Sequence, residues 1–177
     1  MKSILRKTKK QVQGWIKVMI LVPLLHSSCM SQDKDLDQKL TSLLDETVPF
    51  VYQDSLSKWL EEENAPVIID TRSPEEYKVS HIPGAIFINY NKFNKRMVDS
   101  IDRKQPVVVY CSVGYRSEKI GEKLQAMGFT EVYNLYGGIF DWKNNDRKVV
   151  NSSGATDSVH TYNKNWSKWL KKGIKVY

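Results

Sequence analysis

Two short, unbroken runs of apolar residues, at 67–69 and Val107–Tyr110, constrain the fold of this chain more than any other feature. A strand with one solvent-facing side alternates apolar and polar residues, whereas a strand covered on both faces of a parallel sheet is continuously aliphatic. The length of these runs suits strands rather than helices. Residues 85–88 and Val132–Leu135 predict two more strands.

Helix signals fall between the predicted strands. Residues 73–76, Ser-Pro-Glu-Glu, combine an N-cap serine, a proline at the first helical position and a glutamate that closes a capping box. Apolar residues at helical spacing predict a short helix near residue 56 and another over 117–127, which ends at Gly128. Strand and helix thus alternate from 67 to 142, which predicts an α/β fold: a doubly wound parallel sheet with helices on both faces.

Cys111 directly follows the strongest predicted strand and opens a loop that ends at Arg116. Reactive groups of doubly wound sheets collect at the carboxyl ends of the strands. Gly114 allows a turn with positive φ, so that successive N–H groups of the loop can point inward and bind an anion. The N-terminus of the next helix and the Arg116 guanidinium also favour negative charge. We therefore expect a lowered pKa for the Cys111 thiol and a nucleophilic role for it.

The sequence resembles the single-domain rhodaneses, which are sulfurtransferases. The matching motifs occur in order between residue 52 and about residue 150: Val67-Ile-Ile-Asp-Thr-Arg72, Glu76, His81-Ile-Pro-Gly-Ala85, Val107-Val-Val-Tyr-Cys111, the six-residue loop to Arg116, and Gly137-Gly-Ile-Phe-Asp-Trp142. The resemblance implies about five parallel strands and transfer of sulfane sulfur through a cysteine persulfide. The implied donor is small and anionic, either thiosulfate or a persulfide or polysulfide. The implied acceptor is a thiol, cyanide or a sulfur-carrier protein, and no metal or organic cofactor is needed.

The resemblance also implies catalytic and substrate-binding residues. Cys111 is expected to carry the sulfur, and Arg116 to bind the anionic donor or leaving group. Five further residues are candidates for contact with the substrate: Ser112, Val113, Gly114, Tyr115 and Arg72.

Four residues are expected to support the site: Asp70, His81, Gly137 and Gly138. Asp70 and Arg72 follow a predicted strand; they either line the site or, as we expect, mainly shape the loop by hydrogen bonding. His81 is expected to fix a turn rather than to act as a general base. Gly137 and Gly138 are expected to allow a tight turn beside the cysteine loop.

The N-terminus has the order of an export signal. A basic stretch is followed by eight apolar residues, too few to span a bilayer, and then by His-Ser-Ser before Cys29. This pattern resembles a bacterial lipoprotein signal, with Cys29 as the lipidated residue; cleavage as an ordinary signal and retention as a basic anchor are the alternatives. We expect the protein in the bacterial cell envelope, attached to a membrane through this lipid; a cytoplasmic location is the alternative.

The remaining residues divide into three segments. Residues 30–50 are polar and predict a tether, residues 51–150 the rhodanese-like domain, and residues 151–177 a basic extension packed on that domain. The extension contains Trp166 and Trp169 at helical spacing, which predicts a short terminal helix; a basic helix lying on a membrane surface is the alternative.

The positive net charge does not indicate nucleic-acid binding. The formal charge is +7, but eleven of the 27 basic residues lie in residues 1–17 and 160–177, which contain no acid. The rest of the chain has 16 basic and 20 acidic residues. Basic surfaces that bind nucleic acid are clustered on the folded domain, so we expect no nucleic-acid partner.

Two other functions share parts of these motifs. A phosphatase also places cysteine and arginine around an anion-binding loop, but with five residues between them, whereas this chain has four. A non-catalytic rhodanese module for partner binding or redox sensing is the other alternative. The presence of both Cys111 and Arg116 favours the enzyme.

Overall fold

The computed structural model describes residues 34–177. The predicted export signal at 1–29, with Cys29, and the first residues of the predicted tether lie outside the described residues. Within 34–177, no helix combines the length and the apolar character needed to cross a bilayer.

Five parallel strands form the central sheet. They are β1 (Phe50–Val51), β2 (Val67–Asp70), β3 (Ile86–Phe87), β4 (Val107–Tyr110) and β5 (Val132–Leu135). Their order is β1-β5-β4-β2-β3, so the chain adds β3 on one side of β2 and β4 and β5 on the other, where β5 pairs with the edge strand β1. This arrangement confirms the predicted doubly wound α/β fold; the short edge strand β1 had no sequence signal of its own.

Both faces of the sheet are covered, which explains the unbroken apolar character of β4. Val108 packs into one hydrophobic cluster, together with Ile139 of the helix that follows β5. Val107 and Val109 pack into a second cluster, with Ile120 of the helix that follows β4. Because successive side chains of a strand point to opposite faces, a strand with two buried faces needs an apolar residue at every position.

In the described part of the chain, five α-helices flank the sheet: α1 (Lys34–Thr41), α2 (Gln53–Trp59), α3 (Pro74–Val79), α4 (Tyr115–Ala126) and α5 (Gly138–Asn144). The capping box predicted at the start of α3 is confirmed. The Glu76 N–H donates to Ser73 Oγ (3.3 Å), and the Ser73 N–H donates to Glu76 Oε2 (2.9 Å). The box places the Glu76 side chain inside the domain, where only 1% of the residue is exposed.

Residues 34–50 differ from the polar tether predicted for 30–50. They contain helix α1 and the first residue of strand β1, and Leu36, Leu40 and Leu44 are buried in a core cluster. Leucines four residues apart lie on one face of a helix, so this spacing is a readable signal within a polar stretch.

The C-terminal extension packs on the domain, but the predicted terminal helix is wrong. After the hairpin of β6 (Val149–Asn151) and β7 (Gly154–Thr156), two short strands pair in parallel: β8 (Ser158–His160) and β9 (Ile174–Val176). Between them lies a 3-10 turn, Ser167–Trp169. Trp169 and Leu170 are buried in the core. A 3-10 turn also places residues three apart on one side, so the tryptophan spacing does not require an α-helix.

Candidate active site

Cys111 lies at the carboxyl end of β4, where the chain turns into α4. Its Sγ accepts a hydrogen bond from the Gly114 N–H at 3.2 Å, and only 2% of the residue is exposed. Gly114, the N-cap of α4, adopts a φ of 118°. Residues with a Cβ rarely adopt this conformation, so glycine at this position allows the loop to close around the sulfur.

The loop stabilises a thiolate. Burial alone would raise the pKa of the Cys111 thiol, but the positive charge of Arg116 and three backbone N–H groups act against it and lower the pKa overall. Those N–H groups belong to Ser117, Val113 and Gly114. The lowered pKa agrees with the sequence-based expectation, and a thiolate is the nucleophilic form of cysteine.

Arg116 is fixed by a buried carboxylate from another part of the chain. Its two terminal nitrogens donate to the two Glu76 carboxylate oxygens, each at 2.7 Å, and Nη2 also donates to Ser112 Oγ at 2.9 Å. The Ser112 hydroxyl donates to Glu76 Oε1 at 2.9 Å. Burial would raise the pKa of Glu76, but the hydrogen bonds and charge of Arg116 lower it to about 2. Glu76 is therefore an ionised partner that holds Arg116 at the mouth of the loop.

Helix α5 donates backbone hydrogen bonds to the first two carbonyl groups of the cysteine loop. The Ile139 N–H donates to the Cys111 carbonyl at 3.0 Å, and the Phe140 N–H donates to the Ser112 carbonyl at 3.2 Å. Gly138 makes this approach possible, because a Cβ there would overlap the Cys111 carbonyl oxygen and lie 2.7 Å from the Ser112 carbonyl oxygen. Gly137, with a φ of 67°, makes the turn into the helix.

Asn134 of β5 supports the other side of the loop. Its Nδ2 donates to the Gly114 carbonyl at 3.0 Å, and its side-chain oxygen accepts from the Ser117 hydroxyl at 2.7 Å. The Asn134 side chain is fully buried. The loop conformation is thus fixed by hydrogen bonds from two neighbouring elements.

Arg72 is not placed to bind substrate, which corrects that candidate role. The residue is fully buried, its guanidinium donates to both Asp70 carboxylate oxygens, and its Nη2 also bonds to the Ser80 carbonyl. Asp70 in turn accepts from the Tyr110 hydroxyl at 2.7 Å. This network joins the ends of β2 and β4. Arg72 can be buried there because a buried charge needs a charged or hydrogen-bonded partner, and Asp70 supplies it.

The contacts of His81 hold neighbouring segments of the fold together. Its ring stacks on Tyr77, with centroids 3.9 Å apart, and its backbone exchanges two hydrogen bonds with Val150 of β6. These contacts anchor the β6 hairpin to the turn after α3. His81 does not line the cavity beside Cys111 that is described next.

A cavity of about 450 Å³ opens above Cys111. Of the predicted site residues, the structure brings together here Cys111, Ser112, Val113, Tyr115 and Arg116. Gly114 contributes its backbone N–H, and Tyr115 is 42% exposed at the rim.

The sequence did not predict the role of Glu76 or the presence of five of the residues that line this cavity. Glu76 was visible as a capping residue and as part of a family motif, but its ion pair with Arg116 had no local signal. Leu43, Tyr90, Asn91, Tyr162 and Trp166 line the cavity from other elements. Three of these five lie outside the region in which the motifs occur.

The comparisons with known proteins concern the central part of the chain. A model of the family described as the Rhodanese-like domain matches residues 52–145. The thiosulfate sulfurtransferase GlpE of Coxiella burnetii is 36% identical over 77 residues, which are 44% of this chain and 71% of that protein. The tRNA sulfurtransferase of Desulfurococcus amylolyticus is 41% identical over 73 residues, which are 41% of this chain and 14% of that protein.

Solved structures show the same architecture. A crystal structure of a Bacillus halodurans protein superposes with a TM-score of 0.55 at 25% identity, covering 67% of this chain and 88% of that one. The Alr3790 protein of Anabaena superposes with a TM-score of 0.53 at 25% identity, covering 57% of this chain and 80% of that one.

Proposed function

Since the chain belongs to the rhodanese-like family, we propose that it is a sulfurtransferase that carries sulfane sulfur as a persulfide on Cys111. The donor is thiosulfate or a persulfide or polysulfide. The acceptor is a thiol, cyanide or a sulfur-carrier protein. The names of similar proteins support this class of activity, since they include a thiosulfate sulfurtransferase and a putative sulfur carrier protein of Bacillus subtilis.

One observation carries the proposal: the Cys111 sulfur lies inside a loop that favours negative charge on it. The Gly114 N–H donates to the sulfur, and Arg116 lowers the pKa of the thiol although the residue is buried. The same groups suit a persulfide, because the terminal sulfur of a persulfide is also anionic at neutral pH.

In the loading step, the Cys111 thiolate attacks the outer sulfur of the donor. A new S–S bond forms to Cys111, and the bond between the donor's two sulfur atoms breaks. With thiosulfate, the electron pair of that bond leaves with sulfite, and no net oxidation takes place. Arg116 lies at the mouth of the loop and stabilises the charge that develops on the leaving group.

In the unloading step, an acceptor thiolate or cyanide attacks the terminal sulfur of the Cys111 persulfide. The S–S bond breaks, its electron pair returns to Cys111, and the thiolate is regenerated. A thiolate that is stabilised by its surroundings is a good leaving group, so the loop serves this step as well.

The test is the intact mass of the full chain before and after incubation with thiosulfate, polysulfide or an organic persulfide. We expect a gain of one sulfur atom that cyanide or dithiothreitol removes. Cys111→Ser should gain none. If the wild-type protein takes up sulfur from none of these donors, the proposal fails, and a non-catalytic binding module replaces it.

We also propose that the domain is attached to a membrane of the bacterial envelope through a lipid on Cys29. The support is the basic, apolar and small-residue pattern that ends at Cys29. Mass spectrometry of the N-terminal peptide from membrane fractions tests it. A peptide that begins at a lipid-modified Cys29 is expected, and an unmodified peptide extending through residues 1–29 would contradict the proposal.

A further inference from the structure

The walls of the cysteine cavity are apolar and are built partly by segments outside the family domain. Leu43 follows α1, and Tyr162 and Trp166 belong to the C-terminal extension, whereas the family match covers residues 52–145. Tyr90 and Tyr115 are the other large, mainly apolar side chains that line the cavity. We call these five residues the apolar collar.

The extension fixes its part of the collar in place. Tyr162 has a φ of 64°, an uncommon conformation for an aromatic residue, and its N–H donates to His160 Nδ1 at 3.1 Å. The guanidinium carbon of Arg116 lies over the Tyr162 ring, 5.5 Å from the ring centroid. Trp166 packs against a core cluster, and Lys39 of α1 lies over its ring. A strained backbone persists only when surrounding contacts determine it, so Tyr162 occupies a defined position beside the catalytic loop.

The charge of the cavity does not match a small dianion. Arg116 is the one cationic side chain among the lining residues described, and both of its terminal nitrogens are bonded to the ionised Glu76. A thiosulfate dianion therefore meets the Cys111 thiolate and a single Arg116 cation, whose charge is shared between that thiolate and the Glu76 carboxylate. A donor with a single negative charge meets less repulsion.

The size of the cavity also exceeds what thiosulfate needs. Its volume of about 450 Å³ lies in the range of sites that hold organic ligands with an apolar body and a few polar contacts. Thiosulfate fills only the polar end at Cys111 and leaves the collar in contact with water.

From these observations we propose that the preferred sulfur donor is a monoanionic organic sulfur compound, whose apolar group binds the collar while its sulfane sulfur meets Cys111. This inference rests on the proposed sulfurtransferase function and names its substrate class. The collar residues Tyr162 and Leu43 are its specificity determinants.

An organic thiosulfonate illustrates the reaction. The Cys111 thiolate attacks the terminal sulfur of the thiosulfonate, and the S–S bond to the sulfonyl sulfur breaks. Its electron pair leaves with an organic sulfinate, and Cys111 becomes a persulfide. One negative charge stays on each product, so no oxidant or reductant is consumed.

The experiment compares benzenethiosulfonate with methanethiosulfonate as donors to the full chain, with cyanide as the common acceptor and thiocyanate as the product measured. The ratio of their kcat/KM values reports the contribution of the aromatic group. We expect about a tenfold preference for the benzene compound, which corresponds to burial of part of one ring. Tyr162→Ala and Leu43→Ala, which remove collar side chains from two separate segments of the chain, should each lower this ratio at least threefold.

Tyr177→Ala is the matched control. Tyr177 is 58% exposed and Tyr162 is 57% exposed, but Tyr177 does not line the cavity. The control should keep the wild-type ratio. Equal ratios in all three variants and the wild type would overturn the inference, whatever the absolute rates.

A binding measurement separates this inference from the proposed function. Calorimetry of Cys111→Ser with benzenesulfinate and with methanesulfinate needs no turnover, and the benzene compound should bind about tenfold more tightly. If no donor loads Cys111 in the wild type, the proposed function fails, while the sulfinate comparison still decides the collar. If the donors load Cys111 and the two sulfinates bind equally well, only the inference fails.

Discussion

Replacing Glu76 by glutamine removes the charge that pairs with Arg116 and keeps the size of the side chain. In the wild type, the carboxylate accepts from both terminal nitrogens of Arg116, from the Ser112 hydroxyl and from the Ser73 N–H. Glutamine presents one oxygen and one NH₂ group, so one Arg116 nitrogen faces another donor. The substitution therefore leaves a largely buried cation without its partner.

The lowered pKa of Glu76 and the usual cost of breaking a buried ion pair set the size of the expected loss of stability. The pKa of Glu76 is lowered from 4.5 to about 2, which corresponds to about 3 kcal/mol of stabilisation at neutral pH. Breaking a buried ion pair by removing one partner costs about 3–5 kcal/mol. The Arg116 side chain keeps 20% exposure and can recover some hydration. We expect Glu76→Gln to lower the free energy of unfolding by about 2–3 kcal/mol at pH 7.

The pH dependence follows from the direction of the pKa shift. A carboxylate with a lowered folded-state pKa stabilises the protein above the unfolded pKa of 4.5, and this contribution disappears as the pH falls toward 2. The difference between wild type and Glu76→Gln should thus shrink to roughly half by pH 3.

The assay is urea unfolding of both proteins at pH 7 and pH 3. Glu75→Gln serves as the control, because Glu75 is the neighbouring carboxylate on α3 and is exposed. The control should change the unfolding midpoint far less than Glu76→Gln. A loss below about 1 kcal/mol for Glu76→Gln at pH 7, or a loss that does not vary with pH, would refute the assigned ion pair.

Two further predictions concern the loop itself. Arg116 lowers the pKa of Cys111, so Arg116→Met should move the pH profile of Cys111 alkylation by iodoacetamide to higher pH and slow alkylation at pH 7. Arg116→Lys keeps the positive charge and should keep more of the wild-type profile. Identical profiles would show that the arginine charge does not act on the thiol. In urea unfolding, Gly138→Ala should destabilise the protein by about 1–3 kcal/mol more than Gly128→Ala. Both glycines have positive φ, but only a Cβ on Gly138 overlaps the Cys111 carbonyl. Equal losses of stability would contradict the close approach of α5 to the cysteine loop.

The sequence determines the elements whose signals are local. Val107–Tyr110 is a strand because every position is apolar, and α3 begins at Pro74 because Ser73 and Glu76 satisfy each other's backbone groups. The turn from β4 into α4 needs a glycine, and Gly114 supplies it. Such signals depend on residues within a few positions of one another, so they are present in the sequence before the chain folds.

Other features depend on contacts between distant parts of the chain. Arg72 follows a strand just as a substrate-binding residue would, but the folded chain buries it against Asp70 and the Ser80 carbonyl. Glu76 satisfies the capping box in the same way whether its carboxylate faces water or Arg116, which is 40 residues further along. The sequence alone therefore could not distinguish a helix cap from a partner of the active-site arginine.

The cysteine and its loop were determined by the sequence alone, whereas the tertiary structure decided what surrounds them. Leu43 and Tyr162 are 119 residues apart in the sequence, and neither has a pattern that points to the cavity. They meet there because burial of Leu40 on one side and of Leu170 on the other fixes both terminal segments on the domain. Apolar burial is non-directional, so a sequence pattern tells which residues leave water but not which of them become neighbours of the reactive sulfur.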